Sequence, residues 1–73
     1  MIINGKIEGE IEILDDRVCY QVTENREKYR VCSKEKQAVK DALFLREGQH
    51  IRIRGEPCGE AILVKESKID ITM

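Results

Sequence analysis

The residues with the widest chemical reach in this chain are Cys19, Cys32, Cys58, His50 and the basic and amide side chains that alternate along RVCYQVTENREKYRVCS. Thiolate and imidazole are zinc ligands, but structural zinc sites draw their cysteines from close pairs, and no CxxC spacing occurs here. A cysteine nucleophile would need His50 brought to it by the fold, and the chain has no Gly-rich phosphate loop, nucleophile elbow or HExxH. We therefore expect no catalysis, no metal and no cofactor. Three cysteines are an odd number, which suits reduced thiols in a cytoplasm better than a disulfide framework. What remains is a set of guanidinium, ammonium, amide and hydroxyl groups on Arg17, Gln21, Thr23, Lys28 and Arg30. Groups of these types follow a phosphate backbone when one surface presents them together.

A β-hairpin would present them. Val18, Tyr20 and Val22 alternate with Cys19, Gln21 and Thr23, and Tyr29 and Val31 alternate with Lys28, Arg30 and Cys32, so each strand has one apolar and one polar face. A turn centred on Asn25-Arg26 sets Tyr20 opposite Val31, Val22 opposite Tyr29, Gln21 opposite Arg30 and Cys19 opposite Cys32. A slip of one residue would turn an apolar set into water, whereas a slip of two keeps parity. The opposed Cys19 and Cys32 are open to three readings: packing residues, a cross-strand disulfide, or a redox pair. Opposed strand residues have Cβ atoms ~4.5–5.5 Å apart, against ~3.8 Å in a disulfide.

The remaining elements follow from the same alternation. Lys6 to Leu14 reads as a strand with Ile7, Gly9, Ile11 and Ile13 inward and Glu8, Glu10 and Glu12 outward. Gly9 either marks a bend or bulge that lets a long strand curl, or is a poor strand residue that is tolerated. Asp15 and Asp16 form a turn before the hairpin. Beyond the hairpin the period lengthens, and Ala38, Val39, Ala42, Leu43 and Leu45 predict a helix over 34–46, with Ser33 as N-cap and Gly48 as its stop. Phe44 misses this stripe; the expectation is that the helix ends early and the ring tucks beneath it, the other reading being a ring exposed to a partner. Gln49 to Gly55 is a strand with Ile51 and Ile53 inward, and Glu56-Pro57-Cys58-Gly59-Glu60 is a turn. A last strand starts at Ala61 and resumes at Ile69 and Ile71 after the polar Lys65-Glu66-Ser67-Lys68, which is either a bulge or a break.

Composition bounds the function. Seventy-three residues make one domain, 1–73, that buries roughly 60% of its unfolded surface, too little for a deep enzyme cleft. Thirteen basic against fourteen acidic residues leave a formal charge of −1, so no long-range field draws in polyanions and any attraction must be local. The start MIINGKIEGEIEIL has no apolar run long enough for a signal peptide or membrane span, and an intracellular, cytoplasmic protein without membrane contact is expected. With Tyr20, Tyr29 and Phe44 as the aromatics, the core has to be built from Ile, Val and Leu.

Three strands, one helix and two strands, with a glycine in the long first strand, resemble the layout of the OB-fold, a five-stranded all-β barrel with its helix between strands three and four. The segment GQHIRIRGEPCGEAILVKESKIDI is similar to the fourth and fifth strands of OB-fold nucleic-acid-binding domains, such as those of replication protein A and the class II aminoacyl-tRNA synthetase anticodon domains. Their pattern of Gly-x-x-apolar-x-apolar-x-Gly and a closing apolar-x-apolar falls on Gly48, Ile51, Ile53, Gly55, Ile69 and Ile71. The resemblance implies a ligand across the outer face of strands two and three, here Arg17, Gln21, Thr23, Lys28 and Arg30, and single-stranded DNA or RNA as that ligand. The stacking aromatics of such faces are absent, and Asp15, Asp16, Glu56 and Glu60 in the flanking loops repel phosphate, so binding is expected to be weak and salt-sensitive. The alternative is an assembly domain that docks a protein partner or a second copy. Outward Arg52 and Arg54 could extend a basic track, but in this layout strand four lies against strand one, so the expectation is that they pair with Glu8, Glu10 and Glu12.

Overall fold

Strand alternation organises the chain from its first residues. The computed structural model describes residues 1–70, of Asp70 the backbone alone, as β1 (Ile2–Ile13), β2 (Arg17–Glu24), β3 (Glu27–Lys34), α1 (Glu35–Phe44), β4 (His50–Cys58) and β5 (Ala61–Asp70). The strands close in the order β1-β2-β3-β5-β4, which is the five-stranded OB barrel with its helix between β3 and β4. Ile71, read above as part of the last strand, lies outside the described residues.

The hairpin has the expected register, with Tyr20 opposite Val31, Gln21 opposite Arg30 and Cys19 opposite Cys32. Asn25 (φ 48°) and Arg26 (φ 74°) are both left-handed, as a two-residue turn matching the strand twist requires. Inward Ile3, Ile7, Val18, Tyr20, Val22, Val31, Ile51 and Ile53 fill the barrel, each burial contributing about 1.5–3 kcal/mol.

β1 is longer than its alternation suggested because it serves two neighbours, pairing β4 from Ile2 to Lys6 and β2 from Lys6 to Ile13. Between Glu8, opposite Gln21, and Glu12, opposite Cys19, β1 advances four residues while β2 advances two. Gly9, at φ 80°, lies in this bulge, which settles its role as the bend. Where the strand crosses, Gly5 has no room for a side chain: a Cβ would strike the Thr23 carbonyl oxygen and lie 2.8 Å from Val22 Cγ1.

The double pairing overturns one expectation. Arg52 and Arg54 stand opposite Asn4 and Ile2, not beside Glu8, Glu10 and Glu12, whose half of β1 belongs to β2. Arg54 bonds Glu66 of β5 instead (Nη2 to Oε1, 3.3 Å). On β5 the polar stretch is a bulge and not a break, since Arg54 opposes Glu66 and Gly55 opposes Val64, leaving Lys65 as the extra residue.

The helix also differs from its expected form. Ser33 is buried within β3, where its hydroxyl donates to the Val18 carbonyl (3.5 Å), so it cannot cap, and Lys34 holds the N-cap position without a side-chain bond. Leu45 ends the helix with its N–H on the Asp41 carbonyl (2.9 Å). The helix does end early, but Phe44 is 60% exposed and does not tuck under it, and Val39 and Leu43 are equally exposed. The face against the barrel is Ala38, Asp41, Ala42 and Leu45, spaced i, i+3, i+4, i+7. Asp41 is fully buried and accepts bonds from Gln37 Nε2 (2.8 Å) and the Ser67 hydroxyl (3.1 Å). Among the described residues no helix is long and apolar enough to cross a membrane.

Tyr20 is the largest side chain wholly inside the barrel, and burial first, then the nearby Asp41 carboxylate, push its phenol far above the usual tyrosine range. A raised folded-state value leaves stability flat below the unfolded value of about 10 and lowers it above, because only the unfolded chain can then ionise. One such group loses about 1.4 kcal/mol per pH unit in that window. Tyr20→Phe is expected to remove this alkaline loss. Urea midpoints at about pH 9 and pH 11 measure it, and an equal alkaline loss in both proteins would refute it.

Candidate nucleic-acid interface

The outer face of the hairpin is a ladder of opposed pairs: Arg17 with Lys34, Cys19 with Cys32, Gln21 with Arg30, and Thr23 with Lys28. Because the register holds, all five residues expected at a ligand face are brought onto one surface. Tyr20 is buried and Tyr29 half-buried against the core, so neither presents a ring to a base from this face.

The charges on this surface are not equally free. Arg17 makes a bidentate pair with Asp16, Nε to Oδ1 and Nη2 to Oδ2, both 3.0 Å. That fork holds the Asp16 carboxyl below its ordinary range and raises the guanidinium further. Arg30 bonds Glu12 across β2, with Nη2 3.1 Å from Oε2 and Nη1 3.5 Å from Oε1. Lys28, exposed at the hairpin tip, has no carboxylate partner among the described residues. Gln21 is half-buried between Glu8 and Arg30, and the Thr23 hydroxyl is enclosed without a hydrogen-bond partner. Thr23 lines a hollow of about 290 Å³ with Asn4, Lys6, Glu24, Asn25 and His50, where the Glu24 carboxylate accepts from the Asn4 backbone N–H (2.8 Å). Lys6 is directly opposite Thr23, so the hollow continues the ladder onto β1. Lys6 escaped the sequence reading because it was counted as the first residue of an acidic strand. Its value as a neighbour of Thr23 depends on a register that alternation does not encode.

Cys19 and Cys32 form a disulfide at the centre of this face, with Cα atoms 4.1 Å apart. Reduced thiols were the expectation from the odd cysteine number; direct opposition in the ladder overrides it, leaving Cys58 as the exposed free thiol. The bond also removes both sulfurs from any zinc site with Cys58 and His50. Those two residues sit at opposite ends of β4, about 26 Å apart along an extended strand, so His50 cannot activate Cys58.

No family model matches this chain, and no curated protein matches it in sequence. Among solved structures it is similar to the mitochondrial single-stranded DNA binding protein Rim1 from S. cerevisiae, with a TM-score of 0.81 and 14% identity over 94% of this chain and 90% of that one. At that identity the likeness is one of fold.

The disulfide closes a loop across a sequence separation of 13 residues, and chain-entropy reasoning gives about 3 kcal/mol for a loop of this size. Reduction is expected to lower the unfolding free energy by up to this amount, read as a lower urea midpoint, and Cys19→Ser/Cys32→Ser should match the reduced protein. Equal midpoints with and without dithiothreitol would show that the bond adds nothing.

Proposed function

We propose that this chain is a binding module for single-stranded nucleic acid, not an enzyme, and that it holds its ligand weakly on the outer β2–β3 face through Lys28, Arg30, Arg17, Gln21 and Thr23. The observation that carries the proposal is the whole-chain likeness of the barrel to a protein described as binding single-stranded DNA. The ladder of basic and amide side chains on the matching strands supports it. A cytoplasmic location belongs to the same reading.

The chemistry sets the character of the binding. Without outward rings the face forgoes the ~1–3 kcal/mol per base that stacking supplies, so attraction comes from phosphate contacts and is largely indifferent to sequence. Each neutralised phosphate contributes about −0.7 to the slope of log K against log salt. Lys28 offers its charge freely, whereas Arg17 and Arg30 must exchange a carboxylate for a phosphate. A second reading, self-association, is favoured by the exposure of Ile13, Leu14 and Val39, which line one hollow of about 360 Å³ with Ala38 and Ala42. Sedimentation over a range of concentrations distinguishes a dimer built on that hollow from a monomer.

Fluorescence anisotropy with labelled oligothymidine and oligouridine tests the first reading. Binding is expected at low salt and largely lost at physiological salt. Glu12→Gln, which frees Arg30 and removes a negative charge, should tighten it about two- to fivefold, the equivalent of an exposed ion pair. No binding by the unaltered protein even at low salt would sink the proposal.

A further inference from the structure

Besides Arg26, Lys28 and Lys34 on the hairpin, cations without a carboxylate partner among the described residues stand on the other strands of the barrel. Lys6 stands opposite Thr23 on one side and His50 on the other; the next outward row is Asn4, Arg52 and Lys68 across β1, β4 and β5. Arg52 and Lys68 open onto a groove of about 530 Å³ between α1 and the β4–β5 ribbon, joined there by Lys40, Arg54, Gln37 and Glu66. Four cations line it against one carboxylate, and that carboxylate, Glu66, is already paired with Arg54. Asp41 lies buried behind the wall, its Oδ1 held by Gln37 and Ser67. Asp70 follows one period after Lys68, in register with His50.

Two features set this groove apart from an ordinary solvated surface. Arg52 and Lys68 are directly opposed across the ladder, and like charges in that relation destabilise a sheet. Lys40 of the helix adds a third positive charge to the same groove, and none of the three has a carboxylate within ion-pair distance among the described side chains, which do not include that of Asp70. The groove is also continuous with the proposed ligand face. From Lys28 on β3 through Thr23, Lys6 and Arg52 to Lys68 on β5 there are four inter-strand steps, about 19 Å around the barrel at ~4.8 Å each.

We propose that the sugar-phosphate backbone of a bound single strand leaves the β2–β3 face at Thr23, crosses β1 over Lys6, and ends in the α1/β4–β5 groove, where Arg52, Lys68 and Lys40 bind its phosphates. This rests on the reading of the chain as a single-strand binder, and it adds a second anchoring site on the other side of β1. The opposed cations, a cost in the free chain, become the attraction in the complex. The path asks for a strand longer than the hairpin face alone would hold, within the ~4–16 nucleotides that one such barrel occupies.

Anisotropy with oligothymidines of about 5 and about 16 residues separates the two sites. Arg52→Gln/Lys68→Gln is expected to weaken the long strand more than the short one, because the short strand can occupy one site at a time and still has the hairpin face. On the long strand its log–log salt slope should be shallower by about 1.4, two cations at ~0.7 each. A tenfold rise in salt should therefore cost the variant about 25-fold less affinity than it costs the unaltered protein. Lys28→Gln should weaken both strands. An unchanged slope for the double variant on the long strand, with binding intact, overturns the groove alone; no binding of either strand by the unaltered protein overturns the binding module and the groove together. Lys68→Gln is expected to melt at the same or a higher temperature because it removes one of two facing cations, and a lower melting temperature would overturn the reading of that pair as an uncompensated cost.

Discussion

The structure depends on β1 serving two neighbours at once. One strand can close the barrel only by pairing β4 with its first half and β2 with its second, and the exchange takes place within the few residues around Lys6. Two glycines make this possible for different reasons. Gly5 lets the backbone pass against the Thr23 carbonyl, and Gly9 supplies the left-handed turn of the bulge. The same geometry sorts the charges on the outside. The glutamates of β1 fall on the β2 side, where Glu12 reaches Arg30, while Lys6 and Asn4 fall on the β4 side and leave Arg52 without an acid. Backbone closure and surface potential are here one constraint.

The helix is attached by a polar contact set into an apolar one. Ala38 and Ala42 let it approach closely, Leu45 plugs the barrel just beyond its last turn, and Asp41 sits between them with Gln37 and Ser67 as donors. A buried carboxylate is costly unless hydrogen-bonded, and the rotation the helix adopts gives Asp41 Oδ1 two donors, Gln37 and Ser67, while Oδ2 is enclosed without one. That rotation turns Val39, Leu43 and Phe44 outward. The exposed apolar residues are thus a consequence of where the helix's single buried charge must go.

These two features also mark how far the sequence could be read. The hairpin register was legible because both strands alternate cleanly and a turn at Asn25-Arg26 fixes their pairing. The order of elements came from alternation along the other segments, the OB layout from what that order resembles, and the placing of all five expected ligand-face residues on one surface from the hairpin register. The pairing of Arg30 with Glu12 was not legible. The bulge adds two residues to β1 between Glu8 and Glu12, and a shift of two preserves inward and outward faces, so alternation is blind to it. Without that shift Glu12 would lie opposite Arg17. The helix face was misread for a complementary reason: its true stripe contains an aspartate, and a hydrophobic pattern passes over it in favour of Val39 and Leu43. The disulfide ran against a rule of number, since an odd count says nothing about two cysteines placed opposite one another.

A face built this way constrains what can hold a polyanion on it. Every phosphate that meets Arg17 or Arg30 displaces a carboxylate already bonded there, so the net gain is a difference between two ion pairs in water and is small. A phosphate that meets Lys28, Lys6, Arg52 or Lys68 displaces no carboxylate seen among the described residues, and between Arg52 and Lys68 it also offsets a repulsion. The gradient of attraction therefore runs away from the centre of the hairpin, around β1, and toward β4 and β5. The disulfide at that centre adds rigidity but no charge. In a barrel without stacking rings, the direction in which a strand gains most is set by which cations the fold has left unpaired: the bulge at Gly9 delivers Glu12 to Arg30, and the exchange of partners at Lys6 keeps the β1 glutamates from Arg52.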